Sequence, residues 1–496
     1  MSARQTSQMG FQSARVRGRM VAVIAVVAMV STGCATRLSQ DEIRAAAGTT
    51  TVTEDSGSQD AQVGATGTGA ADPATSGTAT PGAGAVGGGS VGTATTESGS
   101  AGAGSTAAAG SKGSGSKGGA PAPGSTGAGA QAPAIANKSL IKVGNIGPYS
   151  GVLGGIFGDI PASLQVWAKW TNANGGLNGH PVQVITADTG GDPSKALTLA
   201  KNMVEGEGVI AFVNNFLLFE FESISNYAAS KGVPLIGGDL SNPAWTTSPI
   251  AFPQGGSFEA QMKIGTQKLV EIGGPKIATL YCIEVAFVCK ANNELIHKWA
   301  AKVGADIVYN APVSLTAPSY TSTCINAKNS GASGIWILAE GASVARFVRD
   351  CAAQGYKPNF AMVGLASPAV PSEPNLAGAI IPSPVFPSVV SSTPATAAFH
   401  TALGKYASYL LGRLNGEISN AWTAGQLALA GAKYLSDKPT GTEWLKGLRE
   451  LKKETLGGLT IPLTFTSGRY EAPLCVFFQG IENGRYTAPQ GLKTSC

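Results

Sequence analysis

The residue types that carry most enzyme chemistry are sparse in this sequence. Its 496 residues include three His, at positions 180, 297 and 400. His180 follows Asn178-Gly179 in a turn pattern, and His297 and His400 fall on expected helices. None stands in an HExxH pattern or beside a Cys pair, so no metal centre is expected. Nothing nominates a Ser/His/Asp set either. Gly82-Ala83-Gly84-Ala85-Val86-Gly87 fits a dinucleotide fingerprint, and Gly88-Gly89-Ser90-Val91-Gly92 fits a serine-hydrolase elbow. Both lack the strand–turn–helix context that such chemistry needs. The expectation is therefore no enzyme and no cofactor. What remains is thiol chemistry, from seven Cys, and non-covalent recognition.

The composition narrows the partners. Charged residues are only 13% and Gly is 67 of 496, but the biases are local. Four of the 35 basic residues, Arg4, Arg15, Arg17 and Arg19, lie in an N-terminal leader without acids; the other 31 nearly balance 30 Asp and Glu. No basic field is left to bind nucleic acid. After Arg19 come eleven consecutive apolar residues, Met20 to Val30, then Ser31-Thr32-Gly33-Cys34. A positive region, a short apolar run and small residues mark a secretory signal over residues 1–33. The Gly33-Cys34 junction resembles the lipobox of bacterial lipoproteins, although Ser31 stands where Leu is usual. That resemblance implies a diacylglycerol-modified Cys34 and a membrane contact through the lipid. No later segment is long and apolar enough for a transmembrane helix. Residues 34–138 are dominated by Gly, Ala, Ser, Thr and Pro. Such a tract cannot bury enough apolar surface to offset chain entropy and reads as a disordered tether.

Outside the cytoplasm, six remaining Cys are expected to pair. Chain proximity favours Cys282–Cys289, Cys324–Cys351 and Cys475–Cys496. The first would close a loop just after a strand, the second would join neighbouring helices, and the third would tie down the C-terminus.

The elements that must position these groups follow from periodicity. Leu140 to Gly147 reads as a buried strand ending in a Gly turn. Ile160, Leu164, Trp167 and Thr171 then recur at helical spacing, and Asn174-Gly175-Gly176 stops that helix. Strands are expected at 182–185, 209–213, 233–236, 277–281, 306–309 and 334–338. Helices at 196–204, 222–231, 259–272, 292–303, 319–330 and 343–354 alternate with them, and Asp192-Pro193 supplies an N-cap and first helical residue. Helices at 395–411, 419–435 and 442–451 come late, and strands at 459–465 and 474–478 close the chain. The alternation predicts an α/β fold with parallel sheets covered by helices. One sheet is complete near Phe258. Late helices returning to it would give two discontinuous lobes, each a parallel sheet flanked by helices and connected by a hinge: 139–255 plus 385–458, and 256–384 plus 459–496.

From Val143 onward the text resembles the branched-chain amino-acid-type solute-binding proteins of ABC importers, with the type I periplasmic-binding fold. The carrying residues are Ile146 to Gly151, Asn172 to Gly179, Asp188, Asp192-Pro193 with Ala196, Ala200 and Val204, Val233 to Ile236 with Ser241, and Arg349 to Tyr356. The resemblance implies extracytoplasmic capture of a small organic solute between closing lobes, with permease and ATPase subunits as partners. A lipoprotein that senses the same solute and reports to a receptor is the alternative.

Open α/β sheets bind ligands outside the carboxyl ends of their strands. The candidate ligand residues are therefore Tyr149, Ser150, Phe157, Phe219, Asp239, Ser241, Phe287 and Glu340, with Leu365 a further position. By the resemblance, the third and fourth loops bind an α-carboxylate and an acidic group from the second lobe completes the site. Here Leu218-Phe219-Glu220 replaces the usual Ser run, Ser241 replaces Thr, and Leu365-Ala366-Ser367 replaces the acid. The expected solute is an amino acid or an apolar or aromatic carboxylate. Phe157, Phe219, Phe221 and Trp245 point to the apolar side of that range, unless they fill the lobe cores.

Overall fold

The computed structural model describes residues 137–364, 370–466 and 468–496. Cys34, the leader, the tether up to Ala136 and Leu365 lie outside the described residues.

Two parallel sheets organise the chain. The first has the order β2-β1-β3-β4-β5, from Ile141–Gly147 (β1), Val182–Asp188 (β2), Ala211–Asn215 (β3), Leu235–Gly238 (β4) and Ala251–Phe252 (β5). The second has the order β7-β6-β8-β9, from Lys276–Cys282 (β6), Asp306–Val313 (β7), Gly334–Leu338 (β8) and Asn359–Met362 (β9). A small antiparallel sheet joins Ile381–Ser383 (β10), Phe477–Glu482 (β11) and Arg485–Thr487 (β12).

The first sheet is interleaved with Ile160–Ala173 (α1), Pro193–Lys201 (α2) and Phe221–Lys231 (α3). The expected signals act as read. Ile160, Leu164, Trp167 and Thr171 form the buried stripe of α1, and Asp192 caps α2 by accepting Ser194 N–H at 2.9 Å. The second sheet carries Phe258–Gly273 (α4), Ala286–Ala300 (α5), Thr321–Asn329 (α6) and Gly341–Ala353 (α7). The chain then returns. Pro394–Tyr406 (α8), Gly416–Gly431 (α9) and Gly441–Arg449 (α10) pack with the first core. α9 is buried along most of its length and lies against α1, β3 and β4. Gly425 permits this approach, because a Cβ there would stand 2.4 Å from the Trp167 ring.

Two late expectations are corrected. Residues 459–465 form no strand, only isolated bridges at Thr460, Leu463 and Thr464. Pro462 removes a ladder donor in the middle of that stretch. Leu459, Ile461, Leu463 and Phe465 also pack in the first core, Phe465 edge-on to Phe252 at 5.1 Å, rather than with the second sheet. The helix expected over 395–411 stops at Tyr406, where Ala407 leaves helical geometry at φ −159°, and a tighter turn, Ser408–Arg413, follows.

Segments linking the two sheets lie side by side. Gly256 N–H donates to the Pro384 carbonyl at 3.0 Å. A Cβ on Gly255 would stand 2.4 Å from that same carbonyl oxygen, and one on Gly256 would stand 2.6 Å from the Cys475 carbonyl. All three expected disulfides are present. Cys324–Cys351 joins α6 to α7, and Cys475–Cys496 ties the C-terminus beside the crossing.

Candidate solute-binding cleft

The carboxyl ends of both sheets face one cleft. An apolar slot of about 60 Å³ takes Leu153, Ile156 and Phe157 from the segment after β1, Leu218 from the turn after β3 and Ser241 from the turn after β4. Its opposite wall is Cys282, Val285, Val288 and Cys289, with Leu315, Leu338 and Val363 from the ends of β7, β8 and β9. The Cys282–Cys289 disulfide is thus part of the wall. A wider groove of about 740 Å³ adjoins it, and Ser241, Phe258 and Asn292 line both. Ile156, Phe157, Phe216 and Leu218 pack into the core of the second sheet although they follow strands of the first. Phe157 packs tilted against Phe216, ring centres 4.7 Å apart. Apolar contact therefore already bridges the lobes, which favours burial of an apolar body between them.

Polar groups behind the slot are tightly tied. Asn145 Nδ2 donates to the Val213 and Asn214 carbonyls, and Asn215 Oδ1 accepts Ile146 N–H at 2.7 Å, which fastens β1 to β3. Asn214 and Leu240 adopt the left-handed backbone region, at φ 55° and 58°. A bulky residue held there marks a turn over-determined by its surroundings. The surroundings are Asp239, whose Oδ2 accepts Leu217 N–H and whose Oδ1 accepts both Ser241 N–H and the Ser241 hydroxyl. Burial pushes the Asp239 carboxyl up from its usual range, against those hydrogen bonds. Burial also raises Glu220 and pushes Glu417, in the first turn of α9, up to about 8. The Tyr149 hydroxyl is raised well above its usual value by burial.

The expected residues fall into distinct settings. Phe157 and Ser241 line the slot. Phe219 and Phe287, 40% and 46% exposed, come from the two lobes and meet at 6.2 Å. Glu340 borders the slot, and its carboxylate caps α7 by accepting Ala342 and Ser343 N–H. Asp239 stands behind Ser241, fully engaged with the backbone. Tyr149 packs against the second core, while Ser150 is exposed and lines neither cavity; Asp188 accepts the N–H groups of both. Phe221 and Trp245 are core residues that pack tilted against each other, ring centres 4.8 Å apart.

Leu218, in the third-loop run read from the sequence, lines the slot; sequence reasoning missed Asn292, Val285, Leu315 and Val363. Three of these are apolar residues just beyond a strand end, a detectable signal once the strand ends are known. Asn292 gives none, because a polar residue inside a helix usually faces solvent. It is 2% exposed here, its Nδ2 donates to Val288 O at 3.0 Å, and its Oδ1 has no hydrogen-bond partner.

The three His are scattered. The ring nitrogens of buried His180 lie 2.7 Å from the Ser139 carbonyl and 2.9 Å from the Ser436 carbonyl, a structural tie. Among the described residues no group of His, Cys, Asp and Glu is placed to hold a metal ion, and no helix is long and apolar enough to cross a membrane.

The sequence profile of the periplasmic binding protein family matches residues 140–485. The chain belongs to that family. It is a solute-binding protein of the type I periplasmic-binding fold, not an enzyme, and membership implies a place outside the cytoplasm. No curated protein sequence matches this binding protein. Solved structures do. A branched-chain amino-acid ABC transporter protein from Thermus thermophilus with bound valine superposes with TM-score 0.64 at 13% identity, covering 71% of this chain and 96% of that one. A fatty acid ABC transporter substrate-binding protein from Thermomonospora curvata gives 0.61 at 17%, covering 72% and 94%. A solute-binding protein from R. palustris in complex with benzoate gives 0.58 at 15%, covering 71% and 96%. At these identities the likeness is one of fold.

Proposed function

We propose that this binding protein serves an ABC importer and captures one small organic solute whose apolar body fills the slot between the lobes. The observation that carries this is the slot itself: carbon-lined, assembled from strand ends of both sheets, and closed on one side by the Cys282–Cys289 bridge. Relatives of the fold include structures named for valine, benzoate and fatty acid binding, solutes that share an apolar body. The amino acid and the apolar or aromatic carboxylate expected from the sequence are screened beside solutes of the same body without a carboxylate. Solute bound only by the folded protein raises its melting temperature by mass action. A thermal-shift screen over amino acids, amides, small carboxylates, alcohols and aromatic compounds tests the reading. One class of apolar-bodied solute should stabilise the protein; stabilisation by strongly polar solutes alone, such as sugars, would overturn it.

The same reading places the protein on the membrane surface through a lipid on Cys34, with residues 34–138 as the tether and permease and ATPase subunits as partners. The Arg-rich leader and the Gly33-Cys34 junction support it. The expressed protein should partition into detergent, and Cys34→Ala should return it to the aqueous phase. Equal aqueous partitioning of both forms would end the lipid proposal.

A further inference from the structure

The turns around the cleft hold backbone donors of the kind that bind a solute's carboxylate, but the protein's own carboxylates occupy them. Asp239 takes the amides of Leu217 and Ser241 at 2.8 and 2.7 Å. Glu220 takes Phe219 N–H at 3.1 Å, and Glu284 takes Leu315 N–H at 2.8 Å. The N-terminus of α7, which would otherwise favour an anion, is capped by Glu340 through Ala342 and Ser343 N–H. Almost all of the surface that faces the slot is carbon, and the polar residues on its border are Ser241, Glu340 and Asn292. Ser241 gives its proton to Asp239, and the Glu340 carboxylate is spent on the N-terminus of α7. Asn292 has a buried Oδ1 without a partner, its amide nitrogen being spent on Val288. No Lys or Arg is among the described residues that line the slot.

A buried acceptor left unpaired is costly, and a carboxylate brought into a dry site without donors is costlier. We propose that the solute has a short apolar body and a hydrogen-bond donor head, a hydroxyl or an ammonium group, which Asn292 Oδ1 accepts, and that it carries no carboxylate. This rests on the slot being the solute site. The slot's 60 Å³ corresponds to about four or five water-sized groups, which sets the body at roughly the size of a short branched chain.

Four compounds with one branched body separate the possibilities: isoamyl alcohol, isoamylamine, isovalerate and leucine. Calorimetric titration of the full chain at neutral pH should show the alcohol or the amine binding at least about tenfold more tightly than isovalerate and leucine. Whichever of the two binds better identifies the head. Isovalerate or leucine binding as tightly as either would overturn the donor-head proposal while leaving the slot reading intact. Binding of none of the four would overturn this proposal, while the slot reading would still stand or fall on the wider thermal-shift screen. Asn292→Leu, with folding checked by its thermal melt, should weaken the preferred compound about tenfold or more. Unchanged affinity in a folded Asn292→Leu protein would remove Asn292 from the site.

Discussion

On the first-sheet side of the cleft, the strand ends are tied by buried carboxylates: Asp239 and Glu220 hold the amides of Leu217, Ser241 and Phe219. On the second-sheet side, the equivalent positions carry Val285, Leu315, Leu338 and Val363 beside a disulfide. The first wall is fixed by directional bonds at the cost of burying charge-bearing groups. The second also has carboxylate ties, from Glu284 and Glu340, but these are exposed or half-buried, and packing and a covalent bridge set the shape of its slot face. One wall can therefore be broken by pH or by losing a hydrogen bond, the other by volume changes.

The largest effect is expected where the two walls touch. Phe157 is fully buried and packs on Phe216 within the second core. Phe157→Ala should cost about 3–5 kcal/mol of stability, read as a lower urea midpoint. A loss below about 1 kcal/mol would mean that the lobes are not joined through this ring.

The polar wall predicts a pH effect. Burial, with a smaller push from Asp239, raises Glu417 from 4.5 to about 8, against a hydrogen bond from Asn420. A carboxyl raised in the folded state contributes stability that is complete below the unfolded value and is lost as pH rises through the folded one. The protein should therefore weaken between about pH 4.5 and 8, by roughly 2–5 kcal/mol. Glu417→Gln should flatten that slope and melt higher than the unmodified protein at the alkaline end. Parallel melting curves for both proteins across this range would contradict the buried-acid account.

How much of this was legible in the sequence differs between the walls. The alternation of strands and helices, the Asp192-Pro193 cap and the proximity pairing of the six Cys follow from local rules, and each appears in the structure. Residues just after strands could be nominated, and Phe157, Ser241 and Glu340 do line the slot. Roles could not be assigned. Glu340-Gly341-Ala342-Ser343 starts a helix, and its acid caps that helix, a reading that a lone Glu after a strand does not separate from a free carboxylate. Trp245 looked available and is core, because burial depends on Phe221 folding over it. Asn292 acquires meaning only when α5 sets it beside Ser241 and Phe258. The strand misread at 459–465 shows the limit of apolar patterning: the residues are buried, but Pro462 lets them pack without a ladder.

The smallest effect is expected at the mouth. Phe219 and Phe287 meet across the cleft while partly exposed, and such an aromatic pair is worth about 0.5–1.5 kcal/mol. Phe219→Ala should leave the melting temperature of the free protein nearly unchanged and speed solute release a few-fold, measured by stopped-flow. Unchanged release would show that the pair does not hold the lobes closed.

The central claim, that the carbon-lined slot receives the solute, is tested most directly by filling it. Ala339 borders the slot at the end of β8 and is buried. In Ala339→Leu the added carbons take up much of the space a short apolar body needs. Thermal shift with the best-binding solute should be large in the unmodified protein and nearly abolished in Ala339→Leu, while the two free proteins melt within a few degrees of each other. A solute-induced shift of equal size in the filled variant would contradict the account.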